Sequence, residues 1–211
     1  LHARAALATK PNAKPYKTAP IPLPQFATEL FFDIEVDPMR NICYLHGFLE
    51  RHNGDPKSEK FVYFFAQDTS AAEEERIFSE ALQYIHSNQP CALYFYSKYE
   101  RTWYRNLQER YPSTCSSADI ETLFDPATAV DLYYDIVKKY TEWPTRDFSI
   151  KTLAKYLGFN WRDTDPSGAA SIEWFHRWIE TGDSEIRGRI LKYNEDDCIA
   201  TRVLLEGLKT L

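Results

Sequence analysis

The chain has 211 residues, with 25 Lys and Arg against 31 Asp and Glu, and a formal net charge of −6 at pH 7. At 44% apolar and 15% aromatic it suits one globular domain with a full core, and no apolar run approaches a membrane span. The acidic balance excludes a broad, sequence-blind grip on duplex nucleic acid, although not a site whose acids serve as metal ligands.

Residues 1–28 carry Lys10, Pro11, Lys14, Pro15, Lys17, Pro20, Pro22 and Pro24 without periodicity. They read as an extended lead-in or linker from an upstream domain, with residues 29–211 as the domain proper. The first residues are too weakly apolar for a signal peptide, and the chain opens on Leu, as a piece of a longer protein would. Cys43, Cys91, Cys115 and Cys198 form no CxxC pair and read as the reduced thiols of a cytoplasmic protein.

Residues 29–37, Glu-Leu-Phe-Phe-Asp-Ile-Glu-Val-Asp, crowd apolar and β-branched residues before Pro38 and predict a strand in the middle of a sheet. Residues 41–50 and 61–65 predict two further strands, separated by the turn cluster His52-Asn53-Gly54-Asp55-Pro56, which gives an antiparallel meander. Residues 71–87, acidic first and then apolar at helical spacing, predict a helix, and 91–96 a short strand. Helices follow over 103–110, 131–140, 149–157 (closed by Gly158) and 172–179, and a last one begins after Gly182-Asp183. A meander followed by helices implies an α/β three-layer fold with a mixed central sheet.

Two stretches carry chemistry. Asp33 and Glu35 lie at i and i+2 of the first strand and point the same way. Two carboxylates on one face of a buried strand are costly without a cation, and an oxygen-only donor set favours Mg²⁺ or Mn²⁺. Near the C-terminus, Tyr193 and Asp197 are i and i+4 on one helical face that Ala200 and Leu204 continue into the core. Asp196, about 100° around the helix, is expected to face solvent.

Phe32-Asp33-Ile34-Glu35 together with Tyr193-x-x-x-Asp197 resembles motifs I and III of the DEDD exonucleases on the ribonuclease H-like fold. Lys192 occupies the position where the histidine branch carries its His, so the resemblance is to the tyrosine branch. That resemblance calls for another carboxylate where a strand meets a helix, and Ser97-Lys98-Tyr99-Glu100 fits, with Ser and Glu in place of the usual Asn and Asp. The Tyr-Glu form resembles the ribonuclease H-like domains of RecB-type nucleases, often part of a larger multidomain protein. Glu100 is favoured as the third carboxylate, and Asp131 is kept as a supporting residue and rival, with an N-cap as its plain structural reading. Lys151, in a run similar to the family's Ser-Leu-Lys, is a second supporting residue.

The resemblance implies a 3′→5′ exonuclease with two divalent ions held by Asp33, Glu35, Glu100 and Asp197, and with Tyr193 orienting the attacking water. Lys98, Tyr99, Arg101 and Trp103 around Glu100 mix cations with aromatic rings, as single-strand binding requires, and single-stranded DNA is the first expected substrate, with RNA next. A ribonuclease H-like endonuclease and a non-catalytic nucleic-acid-binding module of a larger repair or defence protein are the alternative readings. Trp174, Phe175 and Trp178 are expected to be packing.

Overall fold

A computed structural model describes residues 7, 12–164 and 167–211; the opening of the lead-in, residues 1–6 and 8–11, lies outside the described residues. Tyr16–Lys17 form a short strand, β1. The central sheet follows as β2 (Thr28–Asp37), β3 (Ile42–His52) and β4 (Lys60–Phe65), then helix α1 (Ala71–Ser87), β5 (Cys91–Phe95), helices α2 (Tyr99–Arg110) and α3 (Ser117–Leu123), and β6 (Ala129–Asp131). β7 (Thr141–Glu142) pairs with β1. Helices α4 (Ile150–Tyr156), α5 (Gly168–Thr181) and α6 (Ser184–Thr210) complete the chain.

The sheet order is β4-β3-β2-β5-β6, antiparallel across the first three strands and parallel from β2 to β6. Strand β2 is therefore central, as its unbroken apolar run implies. Its alternate residues divide the molecule into layers. Leu30, Phe32, Ile34 and Val36 pack with Phe78 and Leu82 of α1 and with Tyr104 and Leu107 of α2. On the opposite side Phe31 joins Leu204, Leu205 and Leu208 of α6 and Leu153 of α4. Tyr44, Leu45 and Phe65 meet Trp174, Phe175 and Trp178 of α5, so those three rings are packing.

Three local features differ from the sequence reading. Residues 131–140 are not one helix. Val130 and Asp131 end β6, a π-helical turn spans Leu132–Val137, and only Lys138–Tyr140 is α-helical. A strand of three residues is too short to show alternation, and Asp131 then caps the turn from its end. Helix α3 carries a capping box, Ser116 with Asp119, which is a readable N-terminal signal. In the lead-in, Ile21, Leu23 and Phe26 pack against the core beside α6, which ties this segment to the domain.

Candidate metal centre

Strand alternation turns Asp33 and Glu35 away from α1 and α2 and toward α6, where Asp197 meets them. One carboxylate oxygen from each of the three lies within 4.8 Å of the others. Tyr193, one turn before Asp197, is buried at the same spot, and a cleft of about 290 Å³ opens beside them, lined by Tyr99 and Ile172 as well. Glu100 stands in the first turn of α2, 3% exposed, and among the described residues its Oε2 has no hydrogen-bond partner.

Burial is the main force on these acids. It pushes Glu35 from 4.5 to about 8, with the charge of Asp197 adding to it. It raises Asp33 well above the carboxylate range, with Asp197, Glu35 and Glu100 adding repulsion. Asp197 rises to about 6, restrained by Lys151, Trp161 and Tyr193, and Glu100 rises through burial and then Asp131 and Asp197. Buried carboxylates that repel one another, one with an orphaned oxygen, form a donor set made for a hard divalent cation. The residues fit such an ion on chemical grounds.

A family model described as the RNase_H superfamily matches residues 30–209. The chain belongs to the RNase H superfamily. No curated protein matches it. The fold, with its five-stranded mixed sheet between helices, is that of the superfamily, which points to nuclease-type activity, nucleic-acid binding and divalent metal use. Among the described residues no helix is long and apolar enough to cross a membrane.

Around the acids of this RNase H-like site stands a set of residues with no motif of their own. Asn194 Nδ2 donates to Asp33 Oδ2 at 2.6 Å. Asn194 reaches that position because Gly47, paired opposite Asp33 on β3, has no side chain; a Cβ there would lie 1.7 Å from Asn194 Oδ1. Trp161 Nε1 donates to Asp197 Oδ1 at 2.8 Å. The register of β2 and β3 shifts between Glu35 and Val36, leaving Tyr44 as the extra residue of a bulge. The bulge turns Tyr44 toward α5, where its hydroxyl lies 2.8 Å from Ser171 Oγ and 3.5 Å from Glu35 Oε2. Only the folded register brings these groups together.

Tyr193 lies under the charges of Asp197, Glu35 and Asp33, and burial first, then those charges, holds its phenol far above the usual value of 10. It stays protonated and is a donor, not a base. Lys151 Nζ donates to its hydroxyl at 3.3 Å and lies 5.2 Å from the ring centre, on the site side of α4.

Asp131 is at the edge of the cluster but otherwise engaged. Its Oδ1 accepts from the backbone N–H groups of Ser97, Tyr133 and Tyr134, each at 3.0 Å. Of the residues read as a nucleic-acid surface, Tyr99 is 45% exposed and Lys98 is exposed, with Arg101 half-buried. Trp103 is a correction. It is buried in the core with Tyr104, because that side of α2 packs on the sheet, and it offers no stacking face.

Asp196 is a second correction: it is buried, not solvated. Arg162 donates to it from its backbone N–H and from Nε, both at 2.8 Å. The stretch carrying Trp161 and Arg162 covers this flank of α6, so adjacent helix positions 196 and 197 are both enclosed. The angular step between them is as expected, but a second covering segment removes the solvent.

Proposed function

We propose that the chain is a metal-dependent 3′→5′ exonuclease of the tyrosine DEDD type, acting on single-stranded nucleic acid. The observation that carries this reading is the convergence of Asp33, Glu35 and Asp197 within 4.8 Å beside Glu100, whose buried Oε2 lacks a partner among the described residues. Glu100 is preferred to Asp131 as the further metal-site acid, because the capping oxygen of Asp131 already accepts three N–H groups. The all-oxygen donor set suits Mg²⁺ or Mn²⁺, and four carboxylates would hold two such ions.

Asp33, Glu35, Glu100 and Asp197 would hold the ions. When bound, these supply activation of water and neutralisation of the leaving oxygen for in-line displacement at a phosphodiester. Asn194 and Trp161 fix the orientation of Asp33 and Asp197, so that the oxygens need not reorganise. The protonated hydroxyl of Tyr193 orients the nucleophile by hydrogen bonding and takes no proton from it. Lys151 beside Tyr193 brings positive charge to where phosphate charge accumulates. The small cleft, bounded by Tyr99 and Ile172, suits a strand end better than a continuous duplex. The free cysteines suit a cytoplasmic protein, and the Tyr99-Glu100 form suits a domain of a larger RecB-type nuclease.

The test is one of polarity. Single strands of DNA and RNA labelled at the 3′ or 5′ end, with free or inverted 3′ termini, are incubated with Mn²⁺. Release of nucleoside 5′-monophosphates from free 3′ ends only is expected. Internal cuts in strands with inverted ends would replace the exonuclease reading with an endonuclease one.

A further inference from the structure

The turn after β6 differs from the other connections of the fold. Its π-helical backbone, Leu132–Val137, is a rare form often met at functional sites. Asp131 holds it from below, and the same oxygen accepts from Ser97 N. Ser97 has φ of +87°, a left-handed conformation that a non-glycine residue keeps only where its surroundings enforce it. One carboxylate oxygen thus locks the turn to the start of α2, three residues before Glu100.

The turn presents Tyr133 and Tyr134, both half-buried, with ring centres 4.7 Å apart. Two exposed lysines lie on them. Lys98 Nζ is 4.5 Å from the centre of the Tyr134 ring, and Lys138 Nζ is 5.0 Å from Tyr134 and 5.3 Å from Tyr133. Among the described residues neither lysine forms an ion pair, and Asp135 within the turn is held by Lys139 at 2.9 Å. Cations resting on aromatic faces at the surface are weakly held and exchange readily for a phosphate. Strand β6 lies two strands from β2, ~10 Å across the sheet. Because β2, β5 and β6 are parallel, their C-terminal ends share one edge, so the turn and the acid cluster are neighbours along it.

We infer that Tyr133, Tyr134, Lys98 and Lys138 form a platform that leads single-stranded nucleic acid to the metal centre. Bases stack on the tyrosine rings, and the lysines move from the rings to the phosphates. Rings alternating with cations suit an unpaired strand, because the bases of a duplex are not free to stack on them. The inference rests on the nuclease reading for the site that the platform serves, but it is a statement about binding and is measured without hydrolysis.

The test is fluorescence anisotropy of short labelled single strands of DNA and RNA, in EDTA, with the full chain. Tyr134→Leu is expected to weaken binding about tenfold. Lys98→Gln with Lys138→Gln is expected to flatten the dependence of log affinity on log salt by about 1.4, at about 0.7 per phosphate contact. Lys57→Gln with Lys60→Gln makes the same charge change around the β3–β4 turn, away from this edge, and is expected to flatten the slope by less than half as much. Melting temperatures of all variants establish that they fold. Wild-type affinity in the Tyr134 and lysine variants, or an equal loss in the control, overturns the platform. If the wild-type chain hydrolyses nothing but the variants lose binding as stated, the platform stands and the nuclease reading falls.

Discussion

Replacing Glu35 by Gln removes a buried acid whose ionisation its surroundings oppose, and the consequence is a change in how stability follows pH. In the folded chain burial and Asp197 raise Glu35 from 4.5 to about 8. The folded state therefore keeps a proton that the unfolded chain releases above pH 4.5, so stability falls as pH rises through this window. Integrated from pH 5 to pH 8, the loss from Glu35 is about 3–4 kcal/mol. Asp197, raised to about 6, adds a loss of the same sign, mostly complete by pH 6. His46 works in the opposite sense. Burial lowers it from 6.5 to about 3, so below pH 6.5 the unfolded chain binds a proton that the folded chain does not. That gain toward neutral pH is common to both proteins and cancels in their difference. Between pH 5 and pH 8, metal-free wild type should thus lose melting temperature relative to Glu35→Gln by on the order of 10 °C. Adding Mn²⁺ at a hundred times its Kd at pH 8 should return about 2.7 kcal/mol to wild type there, and the same concentration should return less at pH 5, where ligand deprotonation costs more. Differential scanning calorimetry in EDTA and in Mn²⁺ reads both effects. Parallel pH profiles for the two proteins, or equal Mn²⁺ shifts in both, would refute the electrostatic account of the site.

Other substitutions probe the groups that hold the acids. Gly47→Ala puts a Cβ where Asn194 Oδ1 now lies and should cut nuclease activity 10–100-fold by displacing the partner of Asp33, as read by single-turnover rates. Trp161→Phe keeps an aromatic side chain, smaller than indole, but removes the hydrogen bond to Asp197, and Mn²⁺ titration should show affinity reduced 10–100-fold. Tyr193→Phe should lower kcat at least tenfold while Mn²⁺ affinity stays near wild type, because the phenol orients water and holds no ion. Arg162→Ala keeps the backbone N–H but takes the Nε donor and its charge from buried Asp196, and should cost about 1–3 kcal/mol in urea unfolding.

Asp33, Glu35 and Asp197 were legible in the sequence because each follows a local period, whereas Glu100 was reached only through the resemblance of Ser97-Lys98-Tyr99-Glu100 to a family pattern. Asp33 and Glu35 share a strand face by i, i+2 spacing, and Tyr193 and Asp197 share a helix face by i, i+4 spacing. The meander and most helices were legible for the same reason. Asn194, Trp161 and Ser171 were not, since each acts across a long separation in the chain: Asn194 meets Asp33 only where Gly47 leaves a gap in a third segment. Asp196 and Trp103 were misread from one element taken alone. Helix geometry fixes the direction of a side chain, whereas its burial depends on which other segment covers that direction. The π-helical turn was hidden because the Asp131 oxygen that caps it also binds Ser97 of another segment, and composition carries no trace of that sharing.

Asp33, Glu35, Glu100 and Asp197 are proposed to form a divalent-metal nuclease centre. The most direct measurement follows a 3′-labelled single strand with wild type, Asp33→Asn and Asp197→Asn in Mn²⁺ and in EDTA, each variant first checked for an intact thermal transition. Label released by wild type in Mn²⁺, and lost by at least a hundredfold with EDTA or with either substitution, is the predicted result. Hydrolysis that persists in EDTA, or in folded Asp33→Asn, would contradict it.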